Sequence, residues 1–223
     1  MSSTLRRRAL VRAIGLGVVW TVPAAVLAYL VRAQVGPVVR WDADVVVAAT
    51  DITRASPGLQ RVLLVWQEAF RAPFVNLAVT VLCVWLWRRR GMTSRAAWGF
   101  VTLMLAWLLG NGLKELVGRA RPVVQDAVDH APGFSFPSGH ALNTAAAGLV
   151  VALLVWPLLG RRGRSVTVVV VTLVVLLTGV DRVMLGAHFP SDVVAGLVLG
   201  TAMVGASYAG YRGWTPAPTT AEA

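Results

Sequence analysis

The chain has 223 residues, of which 57% are hydrophobic and 14% charged, with a mean hydropathy of +0.68. That balance excludes an ordinary soluble globular domain, and a single cysteine, Cys83, excludes an internal disulfide framework. A net charge of +11 would suggest nucleic acid for a soluble protein, but here the arginines gather at the ends of apolar runs, so no nucleic-acid partner is expected.

Six runs without a charged side chain dominate the chain: 13–31, 72–87, 96–113, 141–159, 165–180 and 193–211. A helix rising about 1.5 Å per residue needs about 20 residues to cross a hydrocarbon core about 30 Å thick. Four runs come close to that length. The two short ones lengthen, 72–87 backward through 58–71 and 165–180 forward past Asp181 into Val183, Met184 and Leu185. The expected fold class is therefore all-α, a bundle of six transmembrane helices over residues 13–211.

In chain order, residues 1–12 form a basic lead with Arg6, Arg7, Arg8 and Arg12. A secretory signal peptide is the alternative for the first run, whose 19 apolar residues exceed a usual signal core. The connection that follows carries Asp42, Asp44 and Asp51, and then Leu59, Val62, Leu63, Trp66 and Phe70 recur at helical spacing. Segment 42–71 reads as amphipathic and interfacial, with a bend at Pro73 before the second span. Cys83, in an apolar run, reads as a small buried hydrophobe. Gly110, Gly112, Gly196, Gly200 and Gly205 are placed to let helices approach closely. Most of the nine tryptophans lie near span ends, as an interfacial belt would have them. The last residues, 212–223, have no period and read as a disordered tail.

Alternation of six spans puts twelve arginines on one side, among them Arg88, Arg89, Arg90, Arg95, Arg161, Arg162, Arg164 and Arg212. By the positive-inside rule that side is cytoplasmic, with both termini there. The other nine basic residues, including Lys114, Arg121 and Arg182, fall on the opposite side, where an anionic ligand would explain their retention.

Three polar clusters interrupt the apolar chain. The first is Lys114 with Arg121-Pro122 seven residues on, a point charge and a planar fork suited to a phosphate, or else an interfacial snorkelling pair. Pro122 disfavours helix at Arg121, so the third span is expected to reach almost that far, with both cations on one face. Arg119, Glu115, Asp126, Asp129 and His130 read as solvated loop charges. The second cluster, Pro137-Ser138-Gly139-His140, opens the fourth span. It reads as a cap and helix N-terminus able to receive an anion, with His140 beside it as a proton donor, or as an ordinary cap. The third runs from Arg182 to His188 to Asp192. Asp192 is placed to orient the His188 imidazole and leave its other nitrogen free to attack, or simply to favour the helix dipole. All three clusters fall at one membrane face and together suit phosphoryl transfer through a histidine.

These clusters, in this order and spacing, resemble the signatures of the type 2 phosphatidic acid phosphatase superfamily, which contains membrane lipid phosphatases and soluble vanadium haloperoxidases. The resemblance is most specific over 114–192. It implies that His188 is the nucleophile and becomes a phosphohistidine, that Asp192 orients it, and that His140 protonates the leaving oxygen. It also implies that Lys114, Arg121, Ser138, Gly139 and Arg182 hold the phosphoryl oxygens, without metal or other cofactor. One position departs: the family usually has serine immediately before the third-cluster arginine, and here it is Asp181. A carboxylate there pairs with Arg182, faces outward or repels the phosphate.

The expectation is an integral membrane phosphatase in a bacterial-type plasma membrane, its site facing outside. Its substrate would be a lipid phosphate such as phosphatidic acid or phosphatidylglycerol phosphate. A polyprenyl diphosphate phosphatase is the nearest alternative. A lipid head-group phosphotransferase would use the same residues, and a haloperoxidase is disfavoured because those relatives are soluble.

Overall fold

Helix boundaries follow the turn residues that the sequence supplies. The computed structural model describes residues 3–124 and 132–214, and within them it is all-helical. The helices are α1 (Ser3–Arg32), α2 (Gly36–Arg54), α3 (Pro57–Ala69), α4 (Ala72–Arg90), α5 (Thr93–Val117), α6 (Gly139–Val155), α7 (Arg161–Met184) and α8 (Pro190–Trp214), with a 3₁₀ turn at Trp156–Leu158. Proline stands in the first turn of α2, α3 and α4, where its missing N–H has no intrahelical partner to lose.

Five helices (α1, α5, α6 with its 3₁₀ extension, α7 and α8) are long and apolar enough to cross a membrane. The pair α3 and α4, bent by 50°, makes a sixth candidate. The bend falls where Pro73 was expected to put it. Segment 42–71 includes α3, the helix that the spacing of Leu59 to Phe70 predicts. It holds most of α2 and all of α3, broken at Ala55-Ser56, where the Ser56 hydroxyl caps α3 by accepting from Leu59 N. In α2 the stripe of Asp42, Val46, Ala49, Thr50 and Thr53 is buried, and α2 packs on α7 and α8. Trp66 of α3 donates its indole N–H to Thr178 of α7 (3.1 Å), which ties α3 to the same wall. At the ends of the chain, α1 already begins at Ser3 inside the expected lead, and α8 runs through Trp214, three residues into the expected tail.

The centre of the bundle is α6, which touches α4, α5, α7 and α8. Its run of Ala141, Ala145, Ala146 and Ala147, all buried, keeps its surface low. Gly196 and Gly200 of α8 meet it: a Cβ at either would stand 2.6 Å from Ser138 O or 2.5 Å from Leu142 O. Overpacking of this kind costs typically about 1–3 kcal/mol, so these glycines fix how near the start of α8 lies to the start of α6. Gly110 similarly faces Leu142, and Gly205 faces Trp20 of α1. Gly112 does not serve close packing, since a side chain there would meet open space. Cys83 is buried, as expected of a small hydrophobe.

The C-terminal ends of α5 and α7 and the N-terminal ends of α6 and α8 lie at one end of the bundle. The arginine-rich ends Arg88–Arg90, Arg161–Arg164 and Arg212 lie at the other.

Candidate active site

All three polar clusters meet at one end of the bundle, around a cavity of about 380 Å³. Lys114, Arg121, Gly139, His140, Arg182 and His188 line it, with Gln67, Glu68, Arg71, Ala72 and Pro73 of the α3–α4 bend and Trp107 of α5 completing the wall. Ser138 and Asp192 do not line the cavity; both are fully buried behind it. Local backbone chemistry explains the convergence. Ser138 caps α6, accepting from Ala141 N at 3.4 Å, and its own N–H donates to Asp192 O at 3.0 Å, which joins the second cluster to the third. The N-terminal end of α6, with its partial positive charge, therefore opens on the cavity at Gly139 and His140. A Cβ at Gly139 would come 3.8 Å from Lys114 Nζ and occupy the space between that ammonium and the helix start.

His188 is almost wholly enclosed in the cavity wall, at 3% exposure. Its Nε2 lies 3.3 Å from Arg121 Nη1. Guanidinium can only donate, so Nε2 is the acceptor and carries the lone pair, and the ring proton belongs on Nδ1. Nδ1 faces Asp192 Oδ2 at 3.6 Å, an ion-pair distance longer than a hydrogen bond. Burial pushes His188 down to about 4, against the opposing pull of Asp192 and helped by the charges of Arg121 and Lys114. At neutral pH the imidazole is therefore uncharged, the form a nucleophile needs.

The other polar groups line the same cavity. Arg121 is held by Gly133 O (3.1 Å), Pro132 O (3.1 Å) and Ala187 O (2.7 Å). Lys114 Nζ reaches Phe134 O at 3.3 Å. His140 Nε2 donates to the Gln67 carbonyl at 3.3 Å, so the α3–α4 bend sets that ring's position. Arg182 is buried and bonded through its side chain to Asp181 Oδ2, with the Nε contact at 2.9 Å. Of the dispositions open to Asp181, the structure has the pairing: its carboxylate is buried against the neighbouring guanidinium.

Two readings of the first cluster are corrected. Lys114 and Arg121 do not share a helical face, because α5 ends at Val117. Gly118 adopts the left-handed conformation (φ +66°) and returns its N–H to Lys114 O at 2.9 Å, closing the helix one turn earlier than Pro122 alone would. Arg119, just after that turn, is not a solvated loop charge. It is 8% exposed, and its guanidinium donates to Asp192 Oδ1 (2.6 Å), Ser191 Oγ (2.8 Å) and Asp42 Oδ2 (2.7 Å) while lying 4.0 Å over the Phe189 ring. Asp42 is wholly buried and also accepts from Ser191 N (3.0 Å) and Ser191 Oγ. Removing one partner of such a buried charge group costs about 3–5 kcal/mol. The sequence does hold a signal for it. Asp42 shares the buried stripe of α2 with Val46, Ala49, Thr50 and Thr53, and a carboxylate on such a stripe needs a cation. Glu115 is exposed, but on the last turns of α5 rather than in a loop, and Asp126, Asp129 and His130 lie outside the described residues.

Among the described residues no group of three or more His, Cys, Asp or Glu side chains is placed to hold a metal ion. The donor set is cationic, which suits an oxyanion.

The model of the PAP2 superfamily matches residues 95–216, just over half of the chain and all three clusters. Over 113 residues the chain is 36% identical to phosphatidylglycerophosphatase B of Bacillus subtilis, covering 48% of this chain and 55% of that protein. It is 38% identical over 113 residues to lipid A 1-phosphatase of Rhizobium etli, covering 47% and 45%. It is 40% identical over 123 residues to decaprenylphosphoryl-5-phosphoribose phosphatase of Mycobacterium tuberculosis, covering 53% and 60%. The chain thus spans about half the length of the curated relatives it matches. The fold aligns with the crystal structure of a transmembrane PAP2 type phosphatidylglycerolphosphate phosphatase from Bacillus subtilis. The TM-score is 0.75 at 24% identity, over 88% of this chain and 94% of that one. Three clusters folded onto one cavity, the shared architecture and the matched region lead to one conclusion: the chain belongs to the PAP2 superfamily.

Proposed function

We propose that the protein is an integral membrane lipid phosphatase. It hydrolyses a phosphomonoester or diphosphate of a lipid through a phosphohistidine on His188, at the extracytoplasmic face. One observation carries the reading: an uncharged, buried His188 presents Nε2 to a cavity lined by Lys114, Arg121, Arg182, His140 and the N-terminal end of α6, at the end of an apolar bundle.

The chemistry runs in two steps. The Nε2 lone pair forms a bond to phosphorus as the ester P–O bond breaks, and His140 gives its proton to the departing oxygen. Asp192 holds the Nδ1 proton side of the imidazolium that forms. A water then attacks phosphorus, its proton goes to His140, the N–P bond breaks back to Nε2, and inorganic phosphate leaves. Lys114, Arg121, Arg182 and the Gly139 backbone bear the charge that accumulates on the equatorial oxygens, usually the largest catalytic contribution. Ser138 enters through its cap on α6, which keeps Gly139 and His140 at the cavity.

A cavity that opens among membrane helices favours a lipid ester over a soluble one. The names of the relatives span phosphatidylglycerophosphate, lipid A and a decaprenyl-linked sugar phosphate. The last supports a polyprenyl phosphate or diphosphate as the second reading. A phosphotransferase would differ in needing an acceptor alcohol for turnover. The test is phosphate release by the purified chain across lipid mono- and diphosphates, with and without a chelator. Release from at least one lipid phosphate, unchanged by chelation and independent of added alcohol, is expected. Activity lost on chelation and restored by Mg²⁺ would contradict the mechanism.

The same proposal takes six spans, counting the bent α3–α4 pair as one, with both termini cytoplasmic and the cavity outside. The arginines at the far end of the bundle support this by the positive-inside rule. A cytoplasm-active reporter fused after Arg162 should be active, and an outside location for that fusion would overturn the orientation.

A further inference from the structure

We propose that Arg119 and Asp42 form a clamp that positions the reacting histidine, Asp42 holding Arg119 and Arg119 holding the Asp192 carboxylate edge-on to His188. This deepens the phosphohistidine reading and rests on it. The geometry is specific. Arg119 Nη1 takes Asp192 Oδ1 (2.6 Å), which leaves Oδ2 to accept from Phe189 N (3.0 Å) and Ser135 Oγ and to face His188 Nδ1. The fork's other arm, Nη2, is anchored on Asp42 Oδ2 at 2.7 Å. Asp42 also grips the first turn of α8 through Ser191 N and Ser191 Oγ. The Arg119 carbonyl accepts from Ser135 N at 2.8 Å, so the residue that donates to Asp192 Oδ2 is placed by Arg119 as well. No atom of the clamp lines the cavity. Arg119 and Asp42 are therefore positioning residues that act through Asp192. The clamp also makes α2, a helix not read as a span, part of the site: its register on α7 and α8 sets where the carboxylate of Asp192 points.

A planar fork defines this geometry better than an ammonium, because its two arms are fixed in one plane while the three donors of an ammonium rotate on a flexible stem. The charges around His188 fix the sign of the test. They come from α5 and the chain after it (Lys114, Arg121), α6 (His140), α7 (Arg182, paired with Asp181) and α8 (Asp192). Glu68 and Arg71 add theirs at the α3–α4 bend, and Arg119 and Asp42 lie behind Asp192. Removing the Arg119 cation leaves Asp192 less compensated and makes His188 easier to protonate. Removing the Asp42 anion leaves Arg119 less compensated and makes His188 harder to protonate.

The experiment measures kcat, KM and the pH dependence of kcat/KM on a short-chain phosphatidic acid in detergent. It compares the full chain with Arg119→Gln, Arg119→Lys, Asp42→Asn and His188→Ala. Arg119→Gln and Asp42→Asn are expected to lower kcat roughly 10–100-fold, the size typical of a lost orienting partner, with KM within about twofold. Arg119→Lys should fall between Arg119→Gln and the parent. The acid limb should move up by about half a pH unit in Arg119→Gln and down in Asp42→Asn. Loss of packing alone would admit water and move both limbs up, which would overturn the clamp, as would kcat within twofold of the parent in both variants. If Arg119→Gln does not fold, Arg119→Lys and the downward limb of Asp42→Asn decide. A fully active His188→Ala would instead sink the underlying reading, independently of the clamp variants.

Discussion

His188→Ala is expected to bring phosphate release down to the assay floor, a loss of roughly 10⁴-fold or more, because it removes the atom that forms the covalent bond. Substrate binding should survive, since Lys114, Arg121, Arg182 and the start of α6 are untouched and the lost imidazole leaves space rather than an orphaned charge. The variant should therefore still bind a lipid phosphate with little change in affinity. The pH behaviour of the parent separates this role from that of a surface histidine. His188 sits at about 4 because burial and the neighbouring cations disfavour its charged form. Its neutral, reactive form is thus fully present at about pH 7 and persists through about pH 5, failing only as pH approaches 4, whereas an ordinary imidazole near 6.5 would already be protonated. An acid limb in the parent's kcat/KM near 6.5, rather than near 4, would speak against the buried nucleophile.

His140→Ala has the second largest expected effect, and it depends on the leaving group. General acid catalysis is worth about 10²–10⁴-fold when the departing oxygen is a poor leaving group such as a lipid alkoxide. An aryl phosphate expels a stable phenolate that needs no proton. On a lipid phosphate His140→Ala should lose the full factor in the first step. On an aryl phosphate the first step should survive and the second fail, since no base remains to take the proton of the attacking water. The variant should then release one equivalent of phenol per protein in a burst and stall. Equal losses on both substrates, with no burst, would remove His140 from proton transfer and leave it as a wall of the cavity anchored to Gln67.

Much of this site was legible because its parts are cheap to recognise and expensive to leave unused. A lone lysine, two histidines and a Pro-Ser-Gly helix start in an apolar chain stand out by composition, and Ser138 and Pro190 mark helix starts where the structure has them. The apolar runs fall on the five candidate spans and on α4 of the bent pair, and α7 lengthens past Asp181 to Met184 as its short run required. What stayed hidden depends on contacts between distant segments. Arg119 lies two residues before Arg121, but the chain after the Gly118 turn sends one guanidinium into the interior and the other to the cavity wall. Its partner Asp42 lies 77 residues away on a helix that periodicity near Leu59 and Trp66 drew attention from. Asp181 shows the same limit: sequence identified it as unusual, and only the fold could choose its pairing with Arg182 over repulsion of the ligand.

A phosphohistidine on His188 is a covalent species that can be trapped directly. The full chain is mixed with a lipid phosphate, quenched within milliseconds in alkali, which preserves a phosphorus–nitrogen bond, and the labelled peptide is located by mass spectrometry. Phosphate is expected on His188, stable to alkali, released by acid, and absent from His188→Ala. Phosphate on another residue, or turnover with no phosphorylated protein at any time point and a burst-free aryl substrate, would contradict it.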